Sequence, residues 1–546
     1  MKDQGYVALV LHAHLPFVRH PEHEFFLEED WLYEAITETY LPLYEVMESM
    51  ARDRVPFRLT LSMSPPLVAM LRDDLLCRRY WRHLTRLREL VGKEMVRNHD
   101  HGHLSYLANH YRERTDAAID TWQRIDGNLV GAFAKLQEEG YIDILTCAAT
   151  HGYLPLMQLY PEAVWAQIKV GVDHHTEHFG RPPTGIWLPE CGYYPDLDRL
   201  LADAGLRYFV SDAHALLLAQ PRPLYGNHAP VFTAGVGVAA FSRDMESSIQ
   251  VWSREHGYPG DFVYREFYRD IGFDLGQDYI TPYIQPNGQR KNTGIKYYRI
   301  TGRSNHKELY DPYWAREKAA EHAADFVSHR VQQVEGLHAE MRRPPIVVSP
   351  YDAELFGHWW YEGPWWLEFV MRKSVYDQQV YEVTHLADYL RRHTTHQVCQ
   401  LAQSSWGDRG FHEFWLNSTN EWIYPHLHQA AEQMIAMAAD YPKARGQRRR
   451  ALNQAARELL LAQSSDWAFI MRTGTTVDYA VRRTRTHLQR FARLHDEIRA
   501  NRIDADWLGQ VEHIDNIFSN IDYRVYLGPR PALPASDRPG SHREGV

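Results

Sequence analysis

Cysteine is scarce in this sequence: four residues in 546, Cys77, Cys147, Cys191 and Cys399, with no Cys-x-x-Cys pair. That argues against a disulfide-stapled scaffold and a thiolate metal cluster, and fits a reducing compartment. Positive charge is also in short supply. Lys and Arg total 60 against 70 Asp and Glu, a formal net charge of -10, which disfavours nucleic acid as the main partner. Long apolar runs are missing as well. The run at residues 6–11 is too short for a signal segment, and no stretch approaches the ~18 residues of a membrane span. The expectation is a soluble cytoplasmic protein with no membrane or nucleic-acid partner, long enough that core burial is not limiting.

Aromatic residues, by contrast, are abundant: 16 Trp, 33 Tyr and 20 Phe. Many of the Trp stand beside Gly, Pro, His or acids rather than inside plain apolar runs. Aromatic faces stack on the C–H faces of sugar rings as readily as on one another, so some of these rings are expected to face a ligand and the rest to fill a large core.

Short apolar runs recur, each ending in polar residues. Residues 7–11 lead to His12-Ala-His14, residues 57–61 to Ser62-Met-Ser64, "YIDILTCAATHG" to His151, "GIWLPE" to Glu190, "RYFVSDAH" to Asp212 and His214, and "PIVVSPYDAE" to Asp352 and Glu354. Helical segments lie between them, such as "RRYWRHLTRLRELVGKEM" and "DLDRLLADAGLRY", the latter with an Asp cap and a Gly stop. Strands alternating with helices indicate parallel βα units, and polar residues just past strand ends indicate a barrel with its site on the C-terminal rim. The pattern breaks over residues 221–311 into Gly-, Pro- and aromatic-rich sequence, expected to be an inserted lid. After residue 396 the periodicity is helical. The pentapeptide "LAQSS" occurs at 401–405 and 461–465, as if two element ends delivered side chains to one place.

Glu190 and Asp352 each follow an apolar strand and precede aromatics. On one barrel rim they would make the carboxylate pair, about 5 Å apart, that a retaining glycosidase uses; alternatively, each is a cap or a paired surface charge. "HAH" at 12–14 supports a different class. With His151, His214 and Asp352 it could hold zinc, as in metal-dependent amidohydrolases and deacetylases, although that reading leaves Glu190 and the Trp-rich segments idle. "SPYDAELFGHWWYEGPWW", residues 349–366, is too rich in indoles and carboxylates to read as core, since each buried polar group would need a partner. The expectation is an aromatic cleft wall, with Trp406 and Trp415 on the other side. Candidate substrate contacts are therefore His12, His14, His151, Trp187, His358, Trp359, Trp360 and Trp415.

Together, "HAHLP" (12–16), "ATHGYLP" (149–155), "GIWLPECGYYP" (185–195), "SPYDAELFGHWW" (349–360) and "NSTNEW" (417–422) resemble glycoside hydrolase family 57, in particular its 1,4-α-glucan branching enzymes. The resemblance runs from about residue 5 to about residue 525. It implies an incomplete (β/α)7 barrel over 1–220 and 312–395, an inserted small domain over 221–311 and a C-terminal all-helical domain over 396–527; the Pro- and Gly-rich composition of 528–546 is expected to give a disordered tail. It also implies Glu190 as nucleophile and Asp352 as general acid/base, with substrate contacts from Arg265, Gly294, Trp406 and Asp466. The partner would be an α-1,4-glucan in glycogen-type synthesis, and no metal or organic cofactor would be required. α-Amylase and 4-α-glucanotransferase are the alternatives within the family. The lid tyrosine of relatives has no identifiable equivalent between Gly226 and Gly257.

Overall fold

A computed structural model describes residues 4–253, 257–304 and 306–529. Ten strands form one sheet: β1 (Gly5–Ala13), β2 (Leu59–Met63), β3 (Ile142–Cys147), β4 (Gly185–Trp187), β5 (Tyr208–Ser211), β6 (Val231–Thr233), β7 (Ala239–Ser242), β8 (Ile346–Asp352), β9 (Tyr381–Val383) and β10 (Val398–Cys399). Their order is β10-β6-β7-β5-β4-β3-β2-β1-β8, with β9 beside the start of β1. From β7 round to β8 every neighbouring pair is parallel, so the sheet curls into an incomplete (β/α)7 barrel. No ladder joins β7 to β8 among the described residues. The gap is bridged by the Asp244 N–H donating to Val348 O at 2.8 Å and the Ile346 N–H to His228 O at 2.9 Å.

Both faces of a parallel barrel strand are covered, which is why β1 reads as an almost unbroken apolar run, buried except at Tyr6. Alternation along the strand turns Val7, Leu9 and Leu11 toward the helices. Ala8 and Val10 join Leu145, Cys147, Trp187 and Val348 in a separate interior cluster. The same two-residue step carries His12 on β1 and Asp352 on β8 to the top of that interior, where they are register partners. Helix Pro161–Phe179 lies tight against β3, since a Cβ on Gly171 would meet Cys147 O at 2.2 Å.

The first expected helix is Asp74–Arg97, capped by Asp73 accepting from the Leu76 N–H at 3.0 Å. The second is Leu197–Asp203. Its glycine stop is real, with Gly205 at φ +85° and the Leu206 N–H bonded to Leu201 O at 3.0 Å, but Asp196 makes no side-chain cap bond.

Two domain boundaries differ from the sequence expectation. Residues 231–242, inside the expected lid, supply β6 and β7, because their short apolar runs were masked by surrounding Gly and Pro. Residues 398–399, inside the expected helical domain, supply β10. The remainder of the insert leans on helices Asp74–Arg97 and Gly102–Arg124: Tyr279 Oη and Tyr297 Oη donate to Glu94 at 2.7 and 2.8 Å, and Tyr111 Oη to Lys296 O at 2.6 Å. The small domain is thus assembled from two separated chain segments. Beyond β10 lie five helices, Ile423–Asp440, Gly446–Ala462, Ser465–Thr473, Val477–Ala500 and Ala505–Ile514. Of the expected tail, residues 530–546 lie outside the described residues.

Candidate active site

The rim is built from strand ends. Beyond β4 the chain makes one tight turn, Pro189–Cys191, in which Glu190 and Cys191 adopt left-handed φ of +60° and +51°. Such geometry costs a non-glycine residue ~1–3 kcal/mol and persists only where neighbours fix it. Here the Trp406 N–H donates to Glu190 O at 2.9 Å, and Tyr193 and Ser404 exchange backbone bonds at 2.9 and 3.0 Å. The Glu190 carboxylate accepts from Trp406 Nε1 at 2.8 Å and from Ser465 Oγ at 3.4 Å. Both repeats of "LAQSS" therefore end at one carboxylate: the first delivers Trp406, the second Ser465 and Asp466.

Beneath Glu190 lies a floor of flat rings. His14 stacks on His151 at 3.8 Å and His12 on Trp187 at 4.8 Å. His12 Nδ1 meets Ser62 Oγ at 3.0 Å, His14 Nδ1 meets Ser64 Oγ at 2.8 Å, and His151 Nδ1 meets Ser465 Oγ at 2.8 Å. The Nε2 atoms of His12 and His151 face each other at 3.0 Å. Burial pushes His12 and His151 well below the usual imidazole range. His14 is equally enclosed, yet Asp466, 3.1 Å from its Nε2, raises its pKa. Burial acts against the Asp466 carboxylate, but His14 overrides it and holds Asp466 down to about 2. His14 and Asp466 thus form an ion pair beside Glu190.

Asp352 ends β8. Burial pushes its carboxyl well above the usual range, and the Glu354 and Glu190 charges add to that. Burial also raises Glu190, to about 7, against the opposing Trp406 bond. Two carboxylates in a low-dielectric site cannot both ionise freely, and the one pushed further keeps the proton. The site's proton therefore rests on Asp352, and Glu190 is the group that ionises first. Glu354 is tied down by the His14 N–H at 3.0 Å and by Tyr40 Oη.

A second polar cluster borders the insert. Glu38 binds His358 Nδ1 at 2.7 Å and Arg265 Nη2 at 3.3 Å, and Arg265 Nη1 also reaches Gly294 O at 3.3 Å and lies 3.9 Å from the Tyr361 ring. Glu38 and Tyr40 project from a π-helical turn, Ile36–Tyr40, a rare geometry concentrated at functional sites. Glu38, Arg265, Gly294 and Tyr361 line a cavity of about 50 Å3 with Glu34, Thr37 and Tyr111.

The expected aromatic wall divides in two. Trp359 is 55% exposed and stacks on Phe267 at 4.5 Å, a ring face open to a ligand. Trp187, Trp360 and Trp415 are at most 1% exposed and belong to the core, with Trp415 stacked on Tyr153 at 4.3 Å. The sequence argument failed because it required a partner for every buried indole N–H. Among the described residues the Nε1 atoms of Trp187, Trp360, Trp366 and Trp415 find no hydrogen-bond acceptor. Such an N–H costs ~1–3 kcal/mol, which burial of so large a ring offsets. His214 bonds Asp212 and Gly410 O instead of completing a histidine cluster. The sequence reading gave no role to Glu38, Tyr40, Ser62, Ser64 or Ser465; the serines carried a signal, a strand end for Ser62 and Ser64 and the repeated pentapeptide for Ser465, whereas Glu38 and Tyr40 carried none.

Among the described residues, ligand atoms of His14, His151 and Asp466 come within 4.8 Å of one another, as do those of His12, Cys147 and His151, and of Glu458, His487 and Asp515 in the helical domain. No helix of the described residues is long and apolar enough to cross a membrane.

Comparison with known proteins places these features in context. The model for glycosyl hydrolase family 57 matches residues 8–402, and that for the C-terminal region of 1,4-alpha-glucan branching enzyme matches residues 426–526. The chain is 33% identical over 564 residues to a 1,4-alpha-glucan branching enzyme of Thermococcus kodakarensis, spanning 97% of this chain and 79% of that one. Among solved structures, an alpha-amylase of Thermotoga maritima superposes with a TM-score of 0.90 at 45% identity, over 97% of this chain and 100% of the other. A family 57 branching enzyme of Pyrococcus horikoshii gives 0.86 at 34%, over 97% and 98%.

Proposed function

The chain belongs to glycoside hydrolase family 57, and on that premise we propose that it is a 1,4-α-glucan branching enzyme with Glu190 and Asp352 as its reacting pair. What supports the reading is the unequal pair itself: two enclosed carboxyl groups at strand ends of the same barrel sheet, Glu190 after β4 and Asp352 at the end of β8, with the proton on Asp352.

Asp352 gives its proton to the leaving glycosidic oxygen as Glu190 attacks the anomeric carbon, so the C–O bond to the leaving chain breaks and a glycosyl ester forms. Esterification removes the Glu190 charge, which lowers the pKa of Asp352 and makes it a base. It then takes the proton of a glucan 6-hydroxyl, whose oxygen displaces Glu190 and closes the α-1,6 linkage with retention. Trp406 holds Glu190 in line, while the His14 and Asp466 pair presents polar groups to the sugar. Trp359 offers a stacking face, and Arg265, Gly294 and His358 border the neighbouring subsite. The substrate is an α-1,4-glucan polymer and no cofactor enters the scheme. We assign the reaction to cytoplasmic glycogen-type synthesis, in keeping with four free cysteines.

A second reading, α-amylase, is favoured by the 45% identity to the Thermotoga maritima amylase. It uses the same two carboxylates with water as acceptor. Incubation with amylose, following α-1,6 proton signals and reducing ends together, separates the two. Branching gives α-1,6 signals with few new ends, whereas new ends without α-1,6 signals would make the protein an amylase.

A further inference from the structure

Below the histidine floor, Cys147 closes the end of β3 inside the barrel, fully buried and without a disulfide. Its Sγ and one nitrogen from each of His12 and His151 lie within 4.8 Å of one another. The glucan chemistry gives this thiol no role. We propose that His12, Cys147 and His151 form a binding site for a Zn2+-class transition-metal ion, and that occupation of this site shuts the glucan reaction down.

Three features of the cluster fit such an ion. The donor set, two imidazoles and a thiolate, is one that zinc accepts, with the fourth position left to water. The two Nε2 atoms already face each other in a 3.0 Å hydrogen bond, a few tenths of an ångström short of the roughly 3.3 Å that two nitrogens span on one tetrahedral zinc ion. The outer nitrogens are already oriented, His12 Nδ1 by Ser62 Oγ and His151 Nδ1 by Ser465 Oγ, as metal-bound histidines are generally steadied by a partner on the far ring nitrogen.

The proton balance is simple. In the metal-free contact one of the two Nε2 atoms carries the hydrogen shared across 3.0 Å; on binding, that ring takes its Nδ1–H tautomer, donating to its serine, so that both Nε2 lone pairs reach the ion. The Cys147 S–H bond breaks, a sulfur–metal bond forms, and one proton leaves to solvent. Nothing is oxidised. Binding therefore tightens as pH rises. Inhibition follows from position, since His151 Nδ1 lies 3.8 Å from Glu190 Oε1. An added dication there draws on the attacking carboxylate and pulls the floor inward.

The test is to titrate the full-length protein with Co2+ as a spectroscopic stand-in and with Zn2+ for inhibition. A thiolate-to-Co2+ charge-transfer absorption in the wild-type chain, lost in Cys147→Ser, is the expected result. With it, Zn2+ inhibition of glucan turnover should weaken in Cys147→Ser by at least about tenfold, with metal-free turnover little changed. Co2+ bound without that absorption would assign the ion to His14, His151 and Asp466 and overturn the proposal, as would absence of binding. The wild-type absorption decides the matter even if the variant fails to fold, and it stands whichever reaction the cleft performs.

Discussion

At the scale of single residues, the site works by setting two carboxyl groups apart. In the proposed mechanism Glu190 must be ionised to attack, and burial raises its carboxyl to about 7. The acid limb of kcat/KM, which reports the free enzyme, should therefore have its midpoint near that pH, with activity falling as pH drops through it. Trp406→Phe removes the donor that favours the charged form. The limb should then move to higher pH by about one unit, the worth of a hydrogen bond to a charged group, and a pH profile of the two proteins checks this. Glu190→Gln should lower kcat at least about 10^3-fold while amylose binding persists, because the amide keeps the shape but cannot form the ester. Unchanged turnover in that variant would refute the assignment. These two carboxylates could be read from the sequence because each stands directly after a strand-length apolar run. Glu38 and Tyr40 could not, since their reach to Arg265, His358 and Glu354 depends on a local π turn that leaves no compositional trace.

At the scale of elements, the tryptophans separate by burial, and so should their variants. Trp415→Ala empties a core position and should cost ~3–5 kcal/mol of stability. Trp359→Ala should leave stability within about 0.5 kcal/mol and raise KM for amylose about tenfold, ~1.4 kcal/mol of binding. Thermal melts beside amylose kinetics distinguish the two, and equal melts for both variants would contradict this division. The turn at Gly357 matters in the same way. Its φ is +116°, and a Cβ there would meet Glu38 O at 1.8 Å, so backbone rather than a yielding side chain stands in the way. Gly357→Ala should displace His358 and Trp359 from the π turn and lower kcat/KM about 100-fold, the cost of a misplacement near 1 Å.

At the scale of the whole molecule, the helices beyond β10 reach into the candidate site. Ser465 and Asp466 reach the floor, the Ser465 N–H donates to His151 O at 3.0 Å, and Arg483 Nη2 donates to Phe17 O beyond β1 at 3.2 Å. Barrel and helices should therefore unfold in one calorimetric transition. Arg490→Ala, which strips one cationic partner from the fully buried Asp515 and leaves Arg483 at 3.8 Å, should lower that single midpoint, by up to the ~3–5 kcal/mol that breaking a buried ion pair costs. Two separable transitions would show the coupling to be weak.

By itself the sequence determined the alternation of apolar runs and helices, hence a parallel barrel, and the strand-end carboxylates, hence the chemistry available on its rim. These are local properties, carried by the period of side-chain burial. Only the tertiary structure decided which tryptophans are exposed, that the insert packs on the distant helices Asp74–Arg97 and Gly102–Arg124, and that Asp466 pairs with His14 across 452 residues of chain. Those outcomes depend on which surfaces meet when the sheet curls, and no window of sequence contains both partners of such a contact.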